Sequence, residues 1–404
     1  MNYRFADRMS RFSSSAVRDI LKWTQGKDII SFAGGLPAEE MFPVSQLKQA
    51  LDAVFEADNR LVFQYGLTEG SAVLRQLLSQ RLALKGIHAS PHELLVTTGS
   101  QQSIDLTARI FVEPGDYVLT ENPTYLAALQ VFQAAGATVA GVDRDSEGIR
   151  PELLEAAVLT HAPRLLYVIP SFANPTGAVW SLERRKQVLD ICSRHGVVIV
   201  EDDPYGELVF DEAAAKPSLM ALSGRAADSP VIYTGTFSKT VVPGLRTGWA
   251  AADEQIIRQL AKAKQSADLH SSCLDQQALV ELLRGFDLDL HIRMLRTAYA
   301  KRMRTMAECL RSDPVWDRCS FTEPEGGMFL WLKLPDGLDP EALLPVAIAE
   351  GVAFVPGSGF FTDGMAQPYI RLNFSHSDPA KIREGMSRLT RAVARYMEQT
   401  GLPA

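Results

Sequence analysis

Between about residue 90 and residue 255, short β-rich apolar runs alternate with helical stretches, and this alternation restricts the fold more than any other feature of the chain. Leu94-Leu95-Val96 reads as a strand end, and Ile104, Ala108 and Phe111 mark one face of the helix that follows. The runs 117–119, 165–169, 197–200 and 231–233 read as further strands. They are apolar at consecutive positions, as strands are when helices cover both faces of a sheet. The pattern predicts an α/β fold whose large domain has a mostly parallel central sheet covered by helices. Ligands of such sheets bind beyond the carboxyl ends of the strands. The polar residues of this region cluster there, just after the apolar runs.

The two ends of the chain read differently. Runs 329–332, 352–355 and 369–374 predict strands of a smaller α+β domain, preceded by a helical region at about 286–311. The first ~45 residues lack the alternation. Ser13-Ser14-Ser15 can cap a short helix there, with Val17, Ile20, Leu21 and Thr24 as its inward stripe, and Gly34-Gly35-Leu36-Pro37 follows. The expected division is an arm, 1–45, packing on the small domain; a large domain, 46–290; and a small C-terminal domain, 291–404. A chain of 404 residues exceeds what one small core requires.

Composition removes several function classes. The net charge of −7 gives no electrostatic footprint for nucleic acid. The basic clusters 301–304 and 388–395 are interrupted by apolar residues at helical spacing, so they read as solvated helix faces. The four cysteines form no C-x-x-C pair and have no ligand spacing with the seven histidines, so no metal site is expected. Unpaired thiols and the lack of an N-terminal apolar run point to the cytoplasm. No apolar run approaches the length of a membrane span.

Five segments carry chemistry. In Thr234-Gly235-Thr236-Phe237-Ser238-Lys239, with Arg246 seven residues on, hydroxyls, a lysine and an arginine gather at a strand end. That set suits a phosphate ester beside an aldehyde: hydroxyls and arginine hold the phosphate, and lysine forms a Schiff base. In Glu201-Asp202-Asp203-Pro204-Tyr205 a strand runs into carboxylates, and Asp202 can pair with a protonated pyridine nitrogen. Asn174-Pro175-Thr176-Gly177 is a turn whose Asn174, like Tyr205, can reach a phenolic oxygen. Thr98-Gly99-Ser100-Gln101 opens a helix, where Ser100 is either a cap or part of a phosphate site. Asn122-Pro123-Thr124-Tyr125 offers a ring to lie flat on a pyridine. Each segment alone also fits a plain turn, cap or surface lysine.

Their order is more specific than any one of them. N-P-T-G, D-x-x-Y, S-K and a following R-x-G, in this sequence, resemble the fold-type I pyridoxal-phosphate enzymes, specifically the class I/II aminotransferases. The similarity runs from Gly34-Gly35-Leu36-Pro37 to Tyr369-Ile370-Arg371-Leu372-Asn373-Phe374. The opening Ser31 to Pro37 with Phe42-Pro43, and Gln64-Tyr65-Gly66, resemble the 2-aminoadipate aminotransferase subgroup. The resemblance implies pyridoxal 5'-phosphate as cofactor, with Lys239 as Schiff-base lysine and proton carrier and Asp202 on the pyridine nitrogen. It implies Asn174 and Tyr205 on the phenolic oxygen, and Ser100, Gln101, Ser238 and Arg246 on the phosphate. Tyr125 would stack on the ring, and Tyr65 would reach the phosphate of the neighbouring subunit in a homodimer. Arg371, Asn174 and the backbone near Gly35 would hold the substrate α-carboxylate, and Arg18 the distal carboxylate of acidic substrates. Thr236, where many relatives have serine, keeps the hydroxyl.

The implied activity is amino transfer from an L-amino acid to a 2-oxo acid, 2-oxoglutarate being the expected acceptor, with ping-pong kinetics. A β-lyase or decarboxylase on the same fold is the alternative, because the cofactor stabilises several carbanions. Effector-sensing regulators with this fold need a DNA-binding domain ahead of it, and the chain begins almost at the arm. The amino donor is left open among aminoadipate, aromatic, branched-chain and methionine-like side chains.

Overall fold

The computed structural model describes residues 1, 3–12, 19–20, 22–23, 28–57, 60–365 and 367–401. Ile20 of the predicted N-terminal stripe is buried. Val17, Leu21, Thr24, the serine cap and Arg18 lie outside the described residues.

The strands in chain order are β1 (Ile30–Ser31), β2 (Leu94–Thr97), β3 (Tyr117–Asn122), β4 (Thr138–Asp145), β5 (Gly148–Ile149), β6 (Leu165–Val168) and β7 (Val198–Asp202). Then come β8 (Val231–Thr236), β9 (Gly248–Ala251), β10 (Ser320–Phe321), β11 (Phe329–Lys333), β12 (Val352–Ala353), β13 (Val355–Pro356) and β14 (Tyr369–Asn373). Eight of them form one sheet in the order β2-β9-β8-β7-β6-β3-β4-β5. The run β8-β7-β6-β3-β4 is parallel throughout, while β9 and the short edge strand β5 are antiparallel to their neighbours. The sheet is thus mostly parallel, as the apolar runs predict.

Three of its strands are absent from the sequence reading for identifiable reasons. β4 has one buried residue and ends in three charged ones, so its short Val-Ala-Gly-Val run lacks the pattern of a covered strand, and β5 has two residues. The β9 sequence, Gly-Trp-Ala-Ala, has little β-propensity and is held by β2 and β8 on either side.

Side-chain alternation along β6 divides its residues between two large cores, and a smaller third cluster gathers around Leu95, Ile232 and Leu260. Along β6, Leu165 and Tyr167 pack into one, and Leu166 and Val168 into the other. The first core is continuous with Leu330, Leu332, Ile370 and Leu372 of a four-stranded antiparallel sheet, β10-β11-β14-β13. The helices Leu288–Ser312 and Pro379–Thr400 also bury residues in it. The predicted single strand at 352–355 divides at buried Phe354: β12 pairs with β1, and β13 with β14. Pairing of Ile30 with Val352 and Ser31 with Ala353 ties the arm to the C-terminal part, and beyond it the Gly35 carbonyl reaches Lys239, just after β8.

Candidate active site

Three consecutive acids leave β7, and strand alternation gives each a different task. Glu201 turns to one face, where its carboxylate accepts the Leu219 and Met220 N–H groups at 2.8 and 3.0 Å. It thereby caps the helix Leu219–Ser223 from outside. Asp203 accepts the Tyr233 hydroxyl at 2.7 Å and the Gly206 N–H at 2.8 Å. Asp202 turns to the opposite face. It is 2% exposed; its Oδ2 accepts the Tyr167 hydroxyl at 2.7 Å, and its Oδ1 is buried without a hydrogen-bond partner among the described residues. Burial pushes the Asp202 carboxyl up to about 7, against the Tyr167 hydrogen bond and the charge of Lys239, which favour the carboxylate. A buried carboxylate with one open oxygen calls for a cationic N–H partner.

β8 is buried along its whole length and delivers Ser238 and Lys239 at its end. Ser238 N–H donates to Thr236 Oγ1 at 3.1 Å, so the hydroxyl at 236 has a structural task that threonine performs. Lys239 donates from Nζ to the Gly35 carbonyl at 2.8 Å. Burial, with Arg246 and Arg371 nearby, brings the ammonium down to about 8, and Asp202 only partly opposes this. About a tenth of the amine is therefore free at pH 7, against less than about a thousandth for an ordinary lysine.

Arg246 has the left-handed φ of +47°, uncommon for a residue with a Cβ, and aims Nη1 at Ser238 Oγ, 3.3 Å away. Opposite it, the helix Ser100–Phe111 begins. Its N-cap is Gly99, not Ser100, with φ +80° and no side-chain cap; a Cβ there would stand 2.5 Å from Arg246 Nη2. A helix start with no side-chain cap, the Ser238 hydroxyl and the Arg246 guanidinium thus stand together, donors of the kind that bind an anion. Tyr125 hydroxyl donates to Gln101 Oε1 at 3.4 Å, which joins the predicted stacking ring to that helix.

The four-stranded sheet contributes Arg371. It is 2% exposed, donates from Nη1 to Asn174 Oδ1 at 2.7 Å and from Nη2 to the Ala33 carbonyl at 2.5 Å, and its Nε finds no partner among the described residues. Its guanidinium lies 4.3 Å from the Phe329 ring centroid and 5.1 Å from that of Phe360. Tyr205 is buried, edge-on to Phe329 at 5.8 Å, with the Asn174 side chain as hydrogen-bond partner.

Lys239, Asp202, Asn174, Tyr205, Arg371 and the arm thus converge from separate parts of the chain. Gly35 joins them through its carbonyl, which accepts from Lys239. Tyr65 stands apart: it is 79% exposed and meets His270 edge-on at 5.9 Å. Tyr167 escaped the sequence reading because it sits inside an apolar strand run, where a tyrosine reads as core.

The set fits pyridoxal phosphate. The open Asp202 oxygen suits a pyridinium N–H, the cradle of Gly99 and Arg246 suits the phosphate, and a lysine with depressed proton affinity suits the aldehyde.

Comparison with known proteins agrees. The family model "Aminotransferase class I and II" matches residues 27–389. The chain is 40% identical to the 2-aminoadipate transaminase of Thermus thermophilus over 390 residues, 96% of each chain. It is 38% identical to aromatic-amino-acid aminotransferase 1 of Thermococcus litoralis, covering 98% of this chain and 95% of that one. The solved α-aminoadipate aminotransferase of Thermus thermophilus, in complex with N-(5'-phosphopyridoxyl)-L-leucine, superposes with a TM-score of 0.90 at 38% identity over 98% of both chains. With this kinship spanning nearly its whole length and the fold to match, the chain belongs to the class I and II aminotransferases.

Proposed function

We propose that this pyridoxal-phosphate aminotransferase moves the amino group of an L-amino acid to 2-oxoglutarate by a ping-pong route, as a cytoplasmic homodimer. The observation that carries the reading is the position of Lys239, whose amine of depressed basicity has Asp202, Arg246 and Arg371 as its charged neighbours. When bound, the cofactor supplies an electron-accepting ring that stabilises negative charge at the substrate α-carbon. The chain's residues do the rest. Asp202 offers Oδ1 to hold the ring nitrogen protonated, and Asn174 and Tyr205 hydrogen-bond the phenolic oxygen. Ser100, Gln101, Ser238 and Arg246 hold the phosphate, and Tyr125 covers the ring. Arg371 and Asn174 would orient the α-carboxylate, and Lys239, once freed from anchoring the cofactor, would serve as the positioned base that takes the α-proton and delivers it two atoms away, to the C4′ carbon.

The relatives named for aminoadipate and for aromatic amino acids support a donor range of acidic and aromatic side chains. In this reading Arg18 serves the acidic members of that range. A panel of donors with 2-oxoglutarate as fixed acceptor, read as glutamate formed, tests the function. Ammonia, carbon dioxide or thiol released without acceptor would favour a lyase or decarboxylase instead.

The depressed proton affinity of Lys239 has a consequence in the cofactor-free protein. Capture of the aldehyde needs the free amine, so its rate should rise with pH to a plateau with a midpoint near 8. An ordinary lysine would give a midpoint near 10.4. Stopped-flow absorbance on mixing with pyridoxal phosphate measures it, and a rate still climbing in proportion to hydroxide at pH 10 would contradict the assignment.

Dimerisation is supported by an exposed apolar stretch around Tyr65: Leu61, Phe63 and Leu67 are each more than 60% exposed in the single chain. If Tyr65 completes the partner's phosphate site, a Tyr65→Phe chain and an Arg246→Ala chain, each impaired alone, should regain activity when mixed and allowed to exchange. One of the two sites in each heterodimer would then be intact. No recovery in verified heterodimers, or full activity in a sedimenting monomer, would refute the shared site.

The same reading divides the chain into an arm (1–45), a large cofactor-binding domain (46–290) and a small domain (291–404). The pairing of β1 with β12 supports an arm attached to the small domain.

A further inference from the structure

The site as described leaves one buried hydroxyl without a task. Tyr167 lies within β6 and is fully buried, with Phe132 packed edge-on against its ring at 5.8 Å. In the parallel register Tyr167 stands across from Val200 of β7, two residues before Asp202. Residues two apart on a strand share a face, so Tyr167 and Asp202 point into the same layer. Its hydroxyl donates to Asp202 Oδ2 there, at 2.7 Å. Hydrocarbon packing alone would be served as well by phenylalanine, and burying a hydroxyl is costly unless it is hydrogen-bonded.

We infer that Tyr167 is a positioning residue for the cofactor: by donating to Asp202 Oδ2 it fixes the carboxylate's rotation and leaves Oδ1 alone to receive the ring N–H. This rests on the assignment of Asp202 to the ring nitrogen made above. A carboxylate pivots about its Cβ–Cγ bond through a broad range. Without an anchor, Asp202 could turn either oxygen, or neither, toward the ring. Burial and the adjacent carboxylate hold the phenol protonated, so it remains a donor throughout. The hydrogen bond also favours the ionised form of Asp202, the form a pyridinium requires. Removing it raises the carboxylate's own proton affinity, so that Asp202 competes with the ring nitrogen for the proton. Phe132 and the sheet register hold the phenol in place, which makes this a rigid support behind a group that contacts the cofactor.

The test separates the ring nitrogen from everything else the cofactor touches. Dissociation constants are measured by titrating the cofactor-free enzyme with pyridoxal phosphate and with its carbocyclic analogue, in which CH replaces the ring nitrogen. Tyr167→Phe should weaken pyridoxal phosphate about tenfold or more, the scale of a hydrogen bond to a charged group. The analogue offers Asp202 no N–H, and its affinity should change by less than about twofold. In an Asp202→Asn background, Tyr167→Phe should leave both affinities within about twofold. Equal weakening of both ligands by Tyr167→Phe would overturn the inference and make Tyr167 a packing residue. So would an undiminished effect in the Asp202→Asn background. If Tyr167→Phe destabilises the cofactor-free protein, Tyr167→His supplies a second ring with a donor. Restored discrimination between the two ligands supports positioning, and loss of both alike refutes it. A wild-type protein that fails to bind pyridoxal phosphate would instead refute the reading of the site itself.

Discussion

Lys239→Ala should lower kcat for amino transfer by about 10⁴-fold or more, the upper end of what a positioned general base supplies, with loss of the covalent anchor added. Among the described residues Lys239 is the one ammonium hydrogen-bonded at the site, and its neighbours there hold other positions: Asp202 is anchored by Tyr167, and Arg371 by Asn174 and Ala33. The variant should still bind pyridoxal phosphate, because Ser100, Ser238, Arg246 and Asp202 are untouched, but as the free aldehyde. The visible band of the lysine-linked cofactor should therefore vanish while the bound cofactor remains detectable after filtration. Added methylamine should restore a measurable part of the rate. A Lys239→Ala enzyme turning over within about tenfold of wild type would remove this lysine from the mechanism.

Arg371→Lys should cost about 10²- to 10³-fold in kcat/KM for every amino-acid donor. The positive charge is kept and the loss is geometric. The guanidinium is a planar fork with fixed donors, held between Phe329 and Phe360 and bonded to Asn174 and the Ala33 carbonyl. An ammonium cannot hold those partners and a carboxylate together, and the expected cost is that of about two hydrogen bonds to a charged group. Because all amino acids share the α-carboxylate, acidic and aromatic donors should lose equally in single-turnover assays. An amine that lacks the carboxylate should react no more slowly with the variant than with wild type. A loss confined to one class of donor would assign Arg371 to side-chain recognition.

The legible parts of this molecule were those where chemistry interrupts an apolar pattern. Lys239 and Asp202 stand at the ends of hydrophobic strand runs, where ligands of parallel sheets bind, and the structure puts both there. Arg371 was legible from its motif, although its anchoring by Ala33, some 338 positions away in sequence, was not. Tyr167 stayed hidden because a tyrosine within an apolar run carries no sign that its hydroxyl is in use. The division of labour among Glu201, Asp202 and Asp203 was available in principle from period-two alternation: the middle acid had to face away from its neighbours. β9 escaped because its strand character comes from sheet partners rather than from its own residues, and β4 because Gly141 and three charged residues break up its β-branched positions. The role of the Gly35 carbonyl escaped for a related reason, since a backbone acceptor leaves no trace in residue type.

The central claim is that nitrogen passes from one substrate to the other by way of the enzyme. The most direct measurement supplies an L-amino acid bearing isotopically labelled nitrogen, such as 2-aminoadipate or phenylalanine, first to the cofactor-loaded enzyme alone and then with 2-oxoglutarate. The account predicts one equivalent of 2-oxo acid per site and no free ammonium in the first stage, followed by labelled glutamate equal to the donor consumed in the second. Labelled ammonium released in proportion to donor, with or without 2-oxoglutarate, would contradict it.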